Sequence, residues 1–112
     1  MSCSYLPRMN GCRNGNGGTD MQLPSNQLKA RMQAGEAQFG LWLNTASPIV
    51  AELVGSIGYD WCLIDGEHGP RGLCAMVPQV QAVAAAGAQT EMRIADPQVW
   101  MVKQVLYLGV QT

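Results

Sequence analysis

Two carboxylates, one histidine and one arginine are the residues whose types and spacing could do chemistry in this sequence. The stretch "CLIDGEHGP", Cys62 to Pro70, turns abruptly from apolar to charged and carries Asp65, Glu67 and His68, the only histidine in the chain. Arg93 follows in "TEMRIA". A histidine beside carboxylates suits a general base, because an unperturbed pKa of about 6.5 lets it accept and return a proton near neutrality. An arginine is a permanent cation that can grip a carboxylate with two prongs or stabilise an enolate oxygen. Alone, His68 reads as a solvated or capping loop residue, and Asp-Gly-Glu as ordinary turn chemistry. Arg93 resists that reading, since a charge inside an otherwise apolar strand costs free energy unless a partner or ligand holds it. Together, at two adjacent strand ends, they favour function.

The elements that must position them follow from the hydrophobic pattern. Ser25 or Asn26 caps a short helix with Leu28 and Met32 on one face and Gly35 as its stop. "FGLWLN", Phe39 to Asn44, has strand length. Ser47 and Pro48 make a cap and first turn for a helix whose stripe is Ile49, Val50, Leu53, Val54 and Ile57, closed by Gly58. "YDWCLI", Tyr59 to Ile64, is the second strand. A helix over 77–86 puts Val77, Val80, Val83 and Ala84 inward, with Pro78 in its first turn. "TEMRIA", Thr90 to Ala95, is the third strand, and Asp96 with Pro97 caps a last helix striped by Val99, Val102 and Leu106 and ended by Gly109. Strands apolar on both faces, each followed by a helix, imply a parallel sheet covered by helices. Doubly wound sheets and (β/α)8 barrels both begin this way, and both gather their chemistry at the carboxyl ends of the strands.

Composition narrows the function classes. The 112 residues are 47% hydrophobic with a formal net charge of -1, as for one small globular domain. Seven scattered basic residues form no patch for nucleic acid. No apolar run approaches the ~20 residues of a membrane span and no secretory h-region is present, so a cytoplasmic protein is expected. Cys3, Cys12, Cys62 and Cys74 form no C-x-x-C pair; a reduced, buried Cys62 is expected, with neither disulfide framework nor zinc site. Residues 1–20 are rich in Gly, Asn and Ser without hydrophobic period and read as a disordered tail, or as upstream sequence before a true start at Met21. Residues 21–112 read as the front part of a larger domain, because a barrel takes about 250 residues and the text stops where a fourth strand should begin.

The wording "AGEAQFGLWLNTASPIVAELVGSIGYDWCLIDGEHGP", continued by "MRIADP" and "KQVLYLGVQT", resembles the metal-dependent pyruvate aldolases of the aldolase/citrate lyase family over residues 21 to 112. That family includes 4-hydroxy-2-oxoheptanedioate aldolase and 2-dehydro-3-deoxyglucarate aldolase. The resemblance implies the first three β/α units of a (β/α)8 TIM barrel of the phosphoenolpyruvate/pyruvate type, truncated before strand four. It implies a hexamer for a full-length relative, a small 2-oxo acid substrate, and a divalent metal (Mg, Mn or Co) that stabilises the enolate. The activity implied is cleavage of a 4-hydroxy-2-oxo acid to pyruvate, or a pyruvate derivative, and an aldehyde. Position by position, His68 matches the base that takes the 4-hydroxyl proton through water, and Arg93 the cation facing the enolate. Asp65 and Glu67 match the acidic residues that order water and the metal's surroundings.

Two departures stand out. The family's "LDLG" aspartate, which raises the basicity of the histidine, is replaced in "LYLG" by Tyr107, a neutral phenol that cannot stabilise an imidazolium by charge. A slower enzyme is expected. The family's metal ligands, a glutamate and an aspartate on later strands, have no counterpart here, so the chain alone is expected to hold no metal in the family manner and to lack aldolase activity. The competing readings are a non-catalytic truncated or pseudogene fragment that folds only with a partner chain, and a citryl-CoA lyase type of the same barrel group.

Overall fold

The computed structural model describes residues 25–69 and 72–112. The expectations for residues 1–20, Met21, Cys3 and Cys12 lie outside the described residues.

Helix α1 (Gln27–Gln33) is capped by Asn26, whose Oδ1 accepts the Lys29 N–H at 2.8 Å. It leads to β1 (Gly40–Leu43), α2 (Pro48–Ser56), β2 (Trp61–Asp65), α3 (Leu73–Ala86), β3 (Gln89–Arg93) and α4 (Val99–Tyr107). Ser47 Oγ accepts the Val50 N–H, and Pro48 opens α2 as anticipated. The strands pair in parallel in the order β1-β2-β3, so the chain has the expected α/β arrangement of parallel strands separated by helices.

Register decides what each face of the sheet carries, because paired residues of parallel strands point to the same side. Leu43 and Ile64 pair on one side, with Cys62 also there; Ala51, Val54, Met76, Val80 and Val83 from α2 and α3 complete its core. Cys62 is buried, as expected, and burial pushes its thiol pKa up. The other side carries Trp42, Leu63 and Glu91 in one register row, Gly40, Trp61 and Gln89 in the row before, and Asp65 with Arg93 in the row after. The strands are therefore not apolar on both faces: one face is core and the other mixes aromatic rings with four polar or charged residues.

Several helix expectations are corrected. In α2, Ile49, Leu53 and Ile57 are 77%, 61% and 66% exposed, while Ala51, Val54 and Gly55 are buried. Small residues let the helix approach α3 closely: a Cβ on Gly55 would lie 2.8 Å from Ala86 Cβ. Helix α3 starts at Leu73 rather than at 77, so Pro78 is interior and leaves the Cys74 carbonyl without its intrahelical donor, at an exposed turn open to water. Ala84, placed inward by the pattern, is exposed, as is Met32 of α1. The N-cap of α4 is Gln98, not Asp96, whose Oδ2 instead accepts from Gln98 Nε2 at 2.9 Å. Val99 and Leu106 are exposed, and Val105 is the buried residue of that helix.

Both ends of the segment are tied to the sheet region. Asp60 accepts the Phe39 N–H at 2.9 Å and Arg31 Nη2 at 2.7 Å; the Phe39 N–H first, and then Arg31, hold its carboxyl below the usual range against burial. Beyond α4 the chain turns at Gly109, buries Val110, and brings the Thr112 carbonyl to the Met92 N–H at 3.1 Å.

Candidate active site

Asp65 is the last residue of β2 rather than the first of the following loop, and Arg93 ends β3; the two are register partners. The chain must turn sharply after Asp65, and the carboxylate builds that turn. Asp65 Oδ1 accepts the N–H groups of Glu67 and His68, each at 3.0 Å. Gly66 then donates its N–H to the Arg93 carbonyl at 2.8 Å, stitching the turn to β3. Only glycine permits this approach, because a Cβ there would lie 2.8 Å from that same oxygen.

The result places the predicted residues side by side. Glu67 Oε2 pairs with Arg93 Nη2 at 2.5 Å, and Arg93 Nη1 lies 3.4 Å from His68 Nδ1. Asp65 Oδ2 is also 3.4 Å from His68 Nδ1, and Glu67 Oε1 is 4.0 Å from its Nε2. Arginine needs an acceptor at Nδ1 and aspartate needs a donor, so the two demands conflict. Glu67 takes Arg93 Nη2 and leaves Nη1 to other acceptors, whereas the charged Asp65 carboxylate is only 2% exposed and needs a donor on Oδ2; an Nδ1–H facing Asp65 is the favoured tautomer. That leaves Nε2 as the acceptor on a ring that is 61% exposed. The His68 N–H first, and then the Glu67 N–H and the His68 ring, hold the Asp65 carboxyl below the usual carboxylate range against the opposing effect of burial.

Trp42 is a site residue that the sequence pattern missed. Its ring lies 5.6 Å from the Arg93 guanidinium carbon, a cation–π contact. "GLWL" gave a strand, but only the register across β1, β2 and β3 shows that Trp42 and Arg93 share a face. Tyr107, by contrast, ends α4 after the chain has run back from Arg93, is 86% exposed, and has no hydrogen bond or ion pair with His68 among the described residues.

The divalent metal implied by the resemblance does not fit these groups. Asp65 Oδ1 is filled by two N–H donors and Glu67 is held by Arg93; no group of three or more His, Cys, Asp or Glu suited to a metal occurs among the described residues. A hollow of about 300 Å³ lined by Arg31, Asp60 and Gln89 lies at the opposite, amino ends of the strands.

Comparison with known proteins settles the lineage, since the HpcH/HpaI aldolase/citrate lyase profile matches residues 38–112. The chain belongs to this aldolase/citrate lyase family. A hydroxypyruvate/pyruvate aldolase of Pseudomonas aeruginosa is 45% identical over 92 residues, covering 82% of this chain and 34% of the relative. A 2-keto-3-deoxy-L-rhamnonate aldolase of Escherichia coli strain K12 is 43% identical over 90 residues, covering 80% and 34%. The crystal structure of a family protein from Burkholderia cenocepacia J2315 superposes with a TM-score of 0.69 at 36% identity, over 75% of this chain and 34% of that one. The chain thus spans about a third of the length of the curated relatives it matches. No described helix is long and apolar enough to cross a membrane.

Proposed function

We propose that this chain carries the base-and-cation part of a lyase site, on the first three β/α units of a (β/α)8 barrel. The reaction is cleavage of a 4-hydroxy-2-oxo acid to pyruvate, or a pyruvate derivative, and an aldehyde. The observation that supports it most directly is His68 beside Arg93, 3.4 Å apart at the carboxyl ends of neighbouring parallel strands. His68 Nε2 takes the proton of the 4-hydroxyl, directly or through water. As the C4 oxygen becomes the aldehyde carbonyl, the C3–C4 bond breaks and its electron pair passes into the 2-oxo group, making an enolate that is then protonated at C3. Arg93 faces that developing charge as a fixed cation, braced by the Trp42 ring and Glu67. Asp65 holds the turn and the imidazole orientation. The named activities of the relatives, on hydroxypyruvate, pyruvate and 2-keto-3-deoxy-L-rhamnonate, support the same substrate class, a short 2-oxo acid.

A chimera tests the site in a whole domain: residues 38–112 of this chain replace the matching segment of the Pseudomonas aeruginosa relative, and pyruvate release is followed with Mg or Mn present. Turnover is expected, with a loss of about 10²- to 10⁴-fold for His68→Ala. A folded chimera without activity, or one indifferent to His68→Ala, overturns the reading. Tyr107→Asp in the same chimera is expected to raise turnover; an unchanged rate removes Tyr107 from the mechanism.

A further inference from the structure

The hollow of about 300 Å³ at the amino ends of the strands is bounded by α1, the last turns of α3 and α4, and the start of β3. Its size is at the lower end for small-molecule sites, which run to about 1,000 Å³. Leu28, Val80, Ala84 and Leu108 give it an apolar wall. Its charged groups do not balance. Arg31 is the cation among the lining residues, and it is met by two carboxylates, Asp60 at 2.7 Å and Glu36 at 3.2 Å. The Phe39 N–H first, and then Arg31, keep Asp60 ionised against burial. Helix α3 ends at its cap Gly87 and α4 at Leu108, both on the hollow, and helix carboxyl ends carry partial negative charge. The local balance is therefore negative.

Thr90 supplies an independent observation. It lines the hollow, is 6% exposed, and faces the α3 side of the sheet with its register partner Cys62. Its hydroxyl makes no hydrogen bond among the described residues. A buried hydroxyl costs free energy until something satisfies it. Water would do so but would leave the aliphatic wall wetted.

We infer that this hollow binds a small organic cation, a primary ammonium on a short aliphatic body. The ammonium donates to Thr90 Oγ1 and faces Asp60 and the two helix ends, while the body lies on Leu28, Val80, Ala84 and Leu108. A small carboxylate is a poorer occupant, because it meets Asp60 and both helix ends with the same sign. A bare metal ion is poorer still, since the lining offers one carboxylate and a largely aliphatic wall. The site lies at the opposite end of the sheet from His68 and Arg93, and the inference stands apart from the reaction there.

The test is titration of the isotope-labelled 112-residue chain with isoamylamine, isoamyl alcohol and isovalerate, compounds of nearly one shape, followed by amide chemical shifts. Saturable shifts centred on Ala88, Thr90 and Gly109 are expected for the amine, with affinity at least tenfold above that of the alcohol or the carboxylate. Thr90→Val removes the hydroxyl and keeps the shape; it is expected to weaken the amine about tenfold, as for one hydrogen bond to a charged group. Ala84→Leu, at an exposed position of α3, fills the hollow and is expected to abolish the shifts while the rest of the spectrum stays in place. Isovalerate binding as tightly as the amine, an amine without saturable shifts, or binding indifferent to Ala84→Leu overturns the inference. Should the chain alone give no dispersed spectrum, a chimera carrying residues 25–112 of this chain on the Pseudomonas aeruginosa relative decides by its Tm. A rise with isoamylamine, absent with isovalerate and lost in Ala84→Leu, is expected, and any other result overturns the inference.

Discussion

The two faces of one three-stranded sheet differ more than any two helices do. On the side of α2 and α3, Leu43, Cys62 and Ile64 are almost fully buried among aliphatic side chains. On the other side, alternate residues of the same strands are Trp42, Leu63, Glu91, Asp65 and Arg93; Trp42 is exposed, Leu63, Glu91 and Arg93 are half-covered, and only Asp65 is buried. Stability and chemistry are thus assigned to opposite sides of the same backbone by the two-residue period of a strand. The core side is packed by α2 and α3. The side with the chemistry depends on what faces it.

The largest expected effect separates neighbouring residues of β2. Ile64→Ala removes a buried side chain from the closed core and is expected to cost about 2–5 kcal/mol in urea unfolding. Leu63→Ala, on the open face, is expected to cost under about 1 kcal/mol in the isolated chain, as for a partly exposed site. If the proposed barrel closes over Leu63 in the chimera, the two costs converge; a persistent gap would show that the open face stays open. Gly40→Ala comes next. The Trp61 ring lies over Gly40 so closely that a Cβ would overlap it, and displacing the indole is expected to cost about 1–3 kcal/mol and to change the near-ultraviolet circular dichroism. An unchanged Trp61 signal would mean the ring has no fixed seat on that face.

Much of the element order was legible, because its signals are local. Ser47 with Pro48 and the glycines at 58 and 109 start or stop helices through backbone preferences that need no tertiary information. The residues of the site were legible by type as well. What escaped was decided by packing. The apolar stripe of α2 pointed to Ile49, Leu53 and Ile57, yet Ala51 and Gly55 face α3 because close backbone approach buries more than large side chains held apart. Gln79, which the pattern did not single out, is 1% exposed; its Nε2 donates to the Ala75 carbonyl within α3, while its buried Oε1 has no partner among the described residues. Trp42 entered the site only through register. For Asp65 the resemblance implied a place ordering water and the metal's surroundings; its geometry adds a different role, as the structural centre of the turn.

That last difference yields the smallest but most diagnostic effect. The folded-state pKa of Asp65 is depressed, by the His68 N–H first and by the Glu67 N–H next, so its stabilising contribution is fully present above the unfolded value of about 3.9. As pH falls through the lower folded value, the carboxylate is protonated and that contribution is lost. Asp65→Asn keeps one acceptor oxygen but no charge, so the urea midpoints of the parent and the variant should differ at pH 6 and draw together towards pH 3. The sign separates two roles for the same side chain. A carboxylate that served only to orient His68 during turnover would lower activity when replaced and leave both midpoints parallel across that range. A carboxylate that builds the turn must show the convergence, because the N–H groups of residues 67 and 68 have no other acceptor in the described structure.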